Sequence, residues 1–508
     1  MTAGQAHVPS AWGQVRAVLE LRLAALRGRD RRRAAVGLGA FLGVVGGAPT
    51  IAMTLPRERV PDYSSLTPTA WLLFAAAAAV ATSTGAGGRQ LLTRAQAAAF
   101  PMSPAADHLG AVLMAPLNLS WLLQAVGLLT LTAWQVGSSA ALPSALLLTM
   151  LWIVAATSAA QAFGWLVELL RTHPLGLALL RVVMVAALAT VAGVAVTGNA
   201  VEGLRVVPTT VVADSITVTP WEHPLHWAAC AGALLAGTAV CWWCGVRLLC
   251  AVCRRQPLQQ TRSESCSYLR RRPPSTTLGA ALRVDRAGLR RSTPLRRGLA
   301  TLVLIPSGVA AVSGLPWPLI SLLPGLVASA AGLLFGVNAF ALDGQGALWR
   351  ETLPGDPGEY LLARLIVLGE TCFGGASLCV LAAIVRAPGT PTPGQLVAVL
   401  GATSATSAYV LARCATWSVR RPYAVALREA RDQPAPPGAM AGYAARLAVG
   451  TTMLGIVFVW LAAIGSVTSI LLITAGTLLV AARRLVGVAR EWNDPATRSR
   501  ILMIIAGT

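Results

Sequence analysis

The chain contains no lysine: all 41 basic residues among its 508 are arginine. A Walker A loop needs a lysine to reach nucleotide phosphates, and a Schiff-base enzyme needs one to attack a carbonyl, so this chain carries neither chemistry. Charge of either sign is scarce. Asp, Glu and Arg together make up 12% of the residues, against about 25% in an ordinary soluble domain. Cysteine is present but its nine positions form no framework. Cys230, Cys241, Cys244, Cys250, Cys253, Cys266, Cys372, Cys379 and Cys414 mostly fall in or beside apolar runs. The pairs Cys241-x-x-Cys244 and Cys250-x-x-Cys253 have zinc-like spacing. They fall on what reads as one continuous helix and its end, where about 100° per residue spreads four sulfurs over several faces. They read as small apolar helix residues. Glycine-rich stretches at Gly85-Ala86-Gly87-Gly88 and Phe373-Gly374-Gly375 follow no strand and precede no lysine, so they read as helix-packing sites.

What the chain has in abundance is apolar length. The hydrophobic fraction is 55%, and runs of about 20 residues recur, each enough to cross about 30 Å of hydrocarbon as a helix. The runs are continuous in Ala, Leu and Val, without the alternation of a barrel strand. The expected fold class is all-α: a polytopic membrane protein with twelve spans in two pseudo-repeated six-helix halves. The spans read as 34–54, 69–88, 109–134, 140–167, 176–197 and 226–250, then 298–315, 319–341, 361–384, 394–416, 443–464 and 467–482. Pro316 and Pro318 read as a tight break between two spans, with a kinked re-entrant segment as the alternative. Some 33 mostly polar or basic residues precede the first run, longer than the charged region of a signal peptide, so no cleavable signal is expected.

The net charge of +21 invites a nucleic-acid reading, but arginine placement explains it better. With a cytoplasmic N-terminus, 32 arginines fall in cytoplasmic segments and four outside: Arg57, Arg59, Arg205 and Arg386. Arg181, Arg247, Arg364, Arg413 and Arg446 lie near cytoplasmic span ends, where they can snorkel. This is the positive-inside distribution. It implies both termini inside, a multi-pass protein of a bacterial inner membrane, the lipid bilayer as a partner, and no nucleic acid.

The segments follow. Residues 1–33 carry an amphipathic helix (Val15, Val18, Leu19, Leu23, Leu26) suited to the membrane surface. Residues 34–252 form the first transmembrane half. Residues 253–297 form an Arg-rich cytoplasmic linker whose end, Leu282 to Leu289, reads as a second surface helix interrupted by Asp285 and Arg286. Residues 298–482 form the second half and 483–508 a cytoplasmic tail.

Each half places an apolar-Pro-x-x-Pro elbow after its second span: Phe100-Pro101-Met102-Ser103-Pro104 and Leu353-Pro354-Gly355-Asp356-Pro357. Proline stops a helix from continuing, which suits a rigid turn. This two-half plan, with Asn338-Ala339-Phe340-Ala341-Leu342-Asp343-Gly344 running into Thr352-Leu353-Pro354, resembles the permease subunits of bacterial ABC exporters of the type-2 permease class. The resemblance implies efflux of a hydrophobic or amphipathic substrate. It implies an elbow that docks on a separate cytoplasmic ABC ATPase, in two copies for a fused chain, with ATP and magnesium held by that ATPase and no cofactor by this chain. Coupling candidates are Pro101, Ser103, Pro104, Asp107, Asp343, Pro354, Asp356 and Pro357. Asp107-His108 and Glu351 read either as a polar dock or as a solvated loop.

Glu370 lies well inside the ninth span. A carboxylate there is costly and is expected to face the bundle interior or a wet cavity, as a substrate or proton contact or as a structural hydrogen bond. Aligning Leu109 with Leu361 sets Asn118 opposite Glu370. Ser120 and Gln124 lie near Asn118 and either line a path or bridge helices. Two other classes stay open: a secondary transporter with an internal repeat, and a polytopic membrane enzyme. For the latter, the region around 198–226 offers Glu202, Asp214, Glu222, His223 and His226 but no tight carboxylate pair.

Overall fold

The computed structural model describes residues 10–24, 43, 46–50, 52–53, 66–84, 102–117, 119–137, 139–171, 173–197, 209–217, 221–254, 274–340, 343–344, 346–353, 355–424, 435 and 437–506. Among them there is no strand, and the fold is all-α. Seven described helices are long and apolar enough to cross a membrane: Leu142–Arg171, Pro224–Cys253, Trp317–Gly336, Pro357–Ile384, Pro393–Arg420, Gly442–Ile464 and Val467–Asn493. Ala70–Ser83 and Gly298–Ala311 are shorter apolar helices. The cluster at 29–33 lies outside the described residues, and of the first expected span, 34–54, residues 43, 46–50 and 52–53 are described, as helix.

The chain divides into two compact units, 1–184 with 201–260, and 185–200 with 261–508. The break at 260/261 falls in the Arg-rich linker. In the first unit the helices are α1 (Ala11–Ala24), α2 (Leu66–Thr84), α3 (Pro104–Met114), α4 (Leu119–Val136), α5 (Leu142–Arg171), α6 (Pro174–Thr197, whose last turns group with the second unit) and α7 (Pro224–Cys253). The expected third span is not one rod. Pro116 cannot donate to the helix ladder, and the segment Ala115–Leu117 tightens to a 3₁₀ turn between α3 and α4. α5 is the central helix of this unit, packed against α2, α4 and α7. Trp71, Leu148, Ile153, Ile216 and Leu234 are buried together there, and Trp71 stacks on Trp152 with ring centroids 5.4 Å apart. All four cysteines of the two Cys-x-x-Cys pairs lie on α7 as free thiols. His226 hydrogen-bonds Ser215 through Nε2 at 3.0 Å.

The second unit comprises α8 (Thr277–Arg291), α9 (Thr293–Ser313), α10 (Trp317–Ile320), α11 (Leu323–Ala331), α12 (Gly346–Glu351), α13 (Pro357–Ile384), α14 (Pro393–Arg420), α15 (Pro437–Ile464), α16 (Val467–Asn493) and α17 (Pro495–Ala506). The break at Pro316 is tight: α9 ends on Gly314, left-handed at φ 57°, and α10 starts on Trp317. Small residues let the spans approach closely. A methyl at Gly375 would meet Val303 and Val327 at 3.0 and 3.2 Å, and one at Gly401 would meet Thr474 at 2.6 Å. Buried hydroxyls such as Thr403, Thr406 and Thr451 donate to carbonyls four residues back in their own helices, which satisfies them where no water reaches. The segment expected as a tail, 483–508, is helical over its described residues. α16 runs eleven residues past the expected span end at 482, and α17 folds back onto α12.

Candidate functional site

The two elbows are built alike. In the first, Ser103 is extended (φ −69°, ψ 147°) and caps α3, its hydroxyl accepting from the Ala106 N–H at 3.2 Å. Pro104 takes the first helical position, where its missing N–H costs nothing. In the second, Asp356 is extended (φ −75°, ψ 121°) and caps α13, its carboxylate accepting from the Gly358 N–H at 2.9 Å, and Pro357 starts the helix. The leading prolines, Pro101 and Pro354, lie outside the described residues. Asp107 sits in the first turn of α3, where a carboxylate suits the positive helix end.

Each elbow helix carries another helix on its flank; α8 is strongly amphipathic, whereas α1, expected to be so, has no marked apolar face. α1 packs on α3 through Val15, Ala106 and Met114, and the Gln14 side chain accepts from the Ser103 N–H at 2.9 Å. α8 packs along α13. Thr277 at its start bonds Glu359, and Arg286 farther along bonds Glu370, so the two helices run parallel over the first turns of α13. At 28 residues α13 is about 42 Å long, about 12 Å more than a bilayer core requires; that spare length covers the contact at Glu359, while Glu370 lies about 20 Å along the helix.

The apparent flaw in α8, Asp285, is its anchor. The side chain is buried beside Ala281 on the face toward α13. Arg364 donates to it from Nε at 3.0 Å and from Nη2 at 2.9 Å, and to both oxygens of Asp343 at 2.8 and 2.9 Å. Arg364 also donates to the Ala339 carbonyl. Arg350 of α12 adds a bond to Asp285 at 3.1 Å and lies 3.1 Å from Asp343. Two carboxylates and two guanidinium groups thus cancel in one sealed cluster that ties α8, α12, α13 and the turn after Asn338 together. The expectation for Arg364 was snorkelling to the interface; it is enclosed instead, because Asp285 and Asp343 come to it. Asp343, expected to face a partner, is used internally.

The outer face of the second elbow is apolar. Trp349 is 70% exposed, with Leu348 and Leu353 beside it. Behind them, Glu351 pairs with Arg498 of α17 at 2.7 Å, Trp492 stacks on Phe340 at 4.7 Å, and the Trp492 indole donates to the Pro357 carbonyl at 2.9 Å. In the first unit the residue after Asp107 turns inward. His108 is fully buried on α3. The Trp165 indole donates to its Nδ1 at 3.0 Å, so Nε2 carries the proton of the neutral ring, and the Trp242 ring lies 4.9 Å away. The ring fits because Gly245 has no Cβ. His108 is therefore a packing residue, and not part of an exposed dock.

The path candidates separate. Glu370 does not face a bundle interior: its side chain is 44% exposed and paired with Arg286. The linker helix, lying along α13, supplies the counter-charge, because the run's own Arg364 is held by Asp285 and Asp343. Asn118 lies outside the described residues. The matching caps Ser103 and Asp356 set a register in which Asn118 corresponds to Thr371, one position past Glu370. Gln124 lines a recess of ≈ 40 Å³ between α2, α4 and α5. Five alanines form its apolar wall, and Thr82, Trp121, Gln124, Thr157 and Gln161 supply its polar atoms. The Trp121 indole donates to Thr157 at 2.9 Å, and Thr82 donates to the Ala160 carbonyl at 2.7 Å.

Sequence reasoning did not single out Trp349 or Gln161, and it read Asp285 as an interruption and Arg364 as a snorkelling residue. Asp285 and Arg364 left a usable trace, a charge breaking an apolar face on each of two segments. Gln161 left the same trace as Gln124, a lone amide in an apolar run. The chain matches no family model, no curated protein and no solved structure.

Proposed function

We propose that this chain is the transmembrane permease subunit of an ATP-driven exporter of the ABC type-2 permease class, with two six-span halves, seated in a bacterial cytoplasmic membrane with both termini inside. It moves a hydrophobic or amphipathic substrate outward, and a separate ATP-binding-cassette ATPase, two copies per chain, holds ATP and magnesium. The observation that carries this reading is the duplication of the elbow: an N-cap, a proline-started helix and a flanking helix, built twice from different residues. A chain that receives two identical motor subunits needs two such stations. The second station presents Trp349, an aromatic of the kind that anchors interfaces, on a turn braced by the charge cluster. Glu370, spoken for by Arg286, lends nothing to a proton-coupled carrier.

The test is affinity purification from native membranes with ATP hydrolysis measured in the eluate. Vanadate-sensitive hydrolysis by a co-eluting ABC ATPase is expected. Trp349→Ala should weaken its capture by about thirtyfold, the equivalent of about 2 kcal/mol at an aromatic anchor, while the permease itself stays monodisperse. Substrate transport by the purified chain alone, without ATP, would sink the reading.

A further inference from the structure

We propose that the recess between α2, α4 and α5 is a binding site for the uncharged hydrogen-bonding group of an amphiphile, a carboxamide or a hydroxyl borne on a hydrocarbon body. Naming that amphiphile as the transported substrate rests on the permease reading; the binding itself does not.

Three observations converge on the recess. First, Gln161 is 4% exposed and lines the space. No hydrogen bond among the described residues engages its amide, which borders the open recess and is available there to the polar group of a ligand as well as to water. Second, the backbone breaks beside it. Ala115 lines the recess and begins the 3₁₀ turn that separates α3 from α4. Irregular backbone at membrane depth persists where it is buried in protein or borders a wet cavity. Third, among the described residues that line it there is no charged side chain. The hydroxyls are committed: Thr82 donates to Ala160 and Thr157 donates to Ile153 while accepting from Trp121. Gln161 is left to offer both an N–H and a carbonyl, which matches a group that both donates and accepts. A cation or anion would enter without a counter-charge and lose its hydration.

Size sets the rest. A water needs about 10–15 Å³ of such space, so ≈ 40 Å³ takes about three waters or one polar group of three or four heavy atoms, and not a sugar ring. The nearer end of α5 lies on the Arg171 side. Arg171, at the end of α5, donates to the Ser83 carbonyl at 2.7 Å, and Gln161 lies ten residues earlier, about 15 Å along the helix. In the proposed topology that end is cytoplasmic, the side from which an exporter loads.

The experiment places a thiol reporter in the recess. In full-length chain with its nine cysteines replaced by alanine and held in phosphatidylcholine nanodiscs, the Ala81→Cys variant is labelled with neutral 2-hydroxyethyl methanethiosulfonate. Ala77→Cys serves as a second reporter if the first does not fold. Decanamide should slow labelling at least fivefold, decane and decyltrimethylammonium should not, and adding Gln161→Met should abolish the protection. Equal protection by all three probes, protection by none, or protection that survives Gln161→Met would overturn the proposal. If the expected pattern holds while no ATPase co-purifies, the exporter reading fails and the binding site stands.

Discussion

Replacing Arg364 with methionine tests the charge cluster most directly. The substitution keeps the side-chain length and removes the guanidinium. Asp285 and Asp343, with side chains 3% and 11% exposed, then share Arg350 alone, itself 21% exposed. The cluster passes from neutral to one uncompensated negative charge, and Ala339 loses a donor. Removing one partner of a buried ion pair costs about 3–5 kcal/mol, about two to nearly four orders of magnitude in the population with α8 docked. The charge-balanced double variant, Arg364→Met with Asp285→Leu, keeps the Arg350–Asp343 pair at 3.1 Å. Apolar replacement of a buried pair is often close to neutral, so the double variant should recover about 2 kcal/mol or more of the single variant's loss. Reversible unfolding in lipid gives the free energies. Trypsin reports α8 directly, because Arg283, Arg286, Arg290 and Arg291 become cleavable when it detaches. A loss under about 1 kcal/mol for Arg364→Met, or a double variant equal to the sum of its singles, would refute the reasoning.

Other expectations follow from the same geometry. Ser103→Ala and Asp356→Ala should each cost about 1 kcal/mol, and Ser103→Gly only a few tenths, because glycine tolerates the cap position; unfolding in lipid distinguishes them. Gly245→Ala would drive a methyl into the His108 ring and should destabilise the first unit by about 1–3 kcal/mol, so a melting curve indistinguishable from the parent's would show that the ring is not so confined. Asp494 caps α17: the hydroxyl and N–H of Thr497 hold its carboxylate below the usual Asp range, with the N–H bond at 2.9 Å. The folded value is depressed, so the cap's contribution is complete above the ordinary value of about 3.9 and is lost as pH falls below that through the folded value. Hydrogen-exchange protection of 495–506, corrected for intrinsic rates, should drop at pH 3 in the parent and stay flat between pH 6 and pH 3 in Asp494→Asn.

Where these residues could be read in advance, and where they could not, follows from the range of the interactions involved. Proline and the residue before it act within one turn, so Ser103-Pro104 and Asp356-Pro357 were legible as elbows. α1 was legible from its spacing, and α8 only faintly. Its Asp285 looks like an error in an apolar stripe until Arg364, 79 residues away, is brought against it. Glu370 misled for the converse reason. An isolated carboxylate in an apolar run implies a counter-charge but cannot say that it comes from Arg286 on the linker. His108 looked like a loop residue because nothing near it in sequence announces Trp165, Trp242 or the gap at Gly245. Gln124 was legible as a polar residue on a span. That it shares a recess with Gln161 depends on how α4 and α5 pack beside the break at Ala115.

The sequence by itself determined the helical class, because apolar length and composition act through the solvent, one segment at a time. It also determined that the chain has no lysine to offer a nucleotide, and where its helices begin at the elbows. The tertiary structure alone decided which charges are spent on one another and which aromatic is left outside on the second elbow. It also decided which amide borders the recess beside the break at Ala115. Those outcomes depend on contacts between residues tens of positions apart, and pairing of that range is written in the packing of helices and in no local pattern.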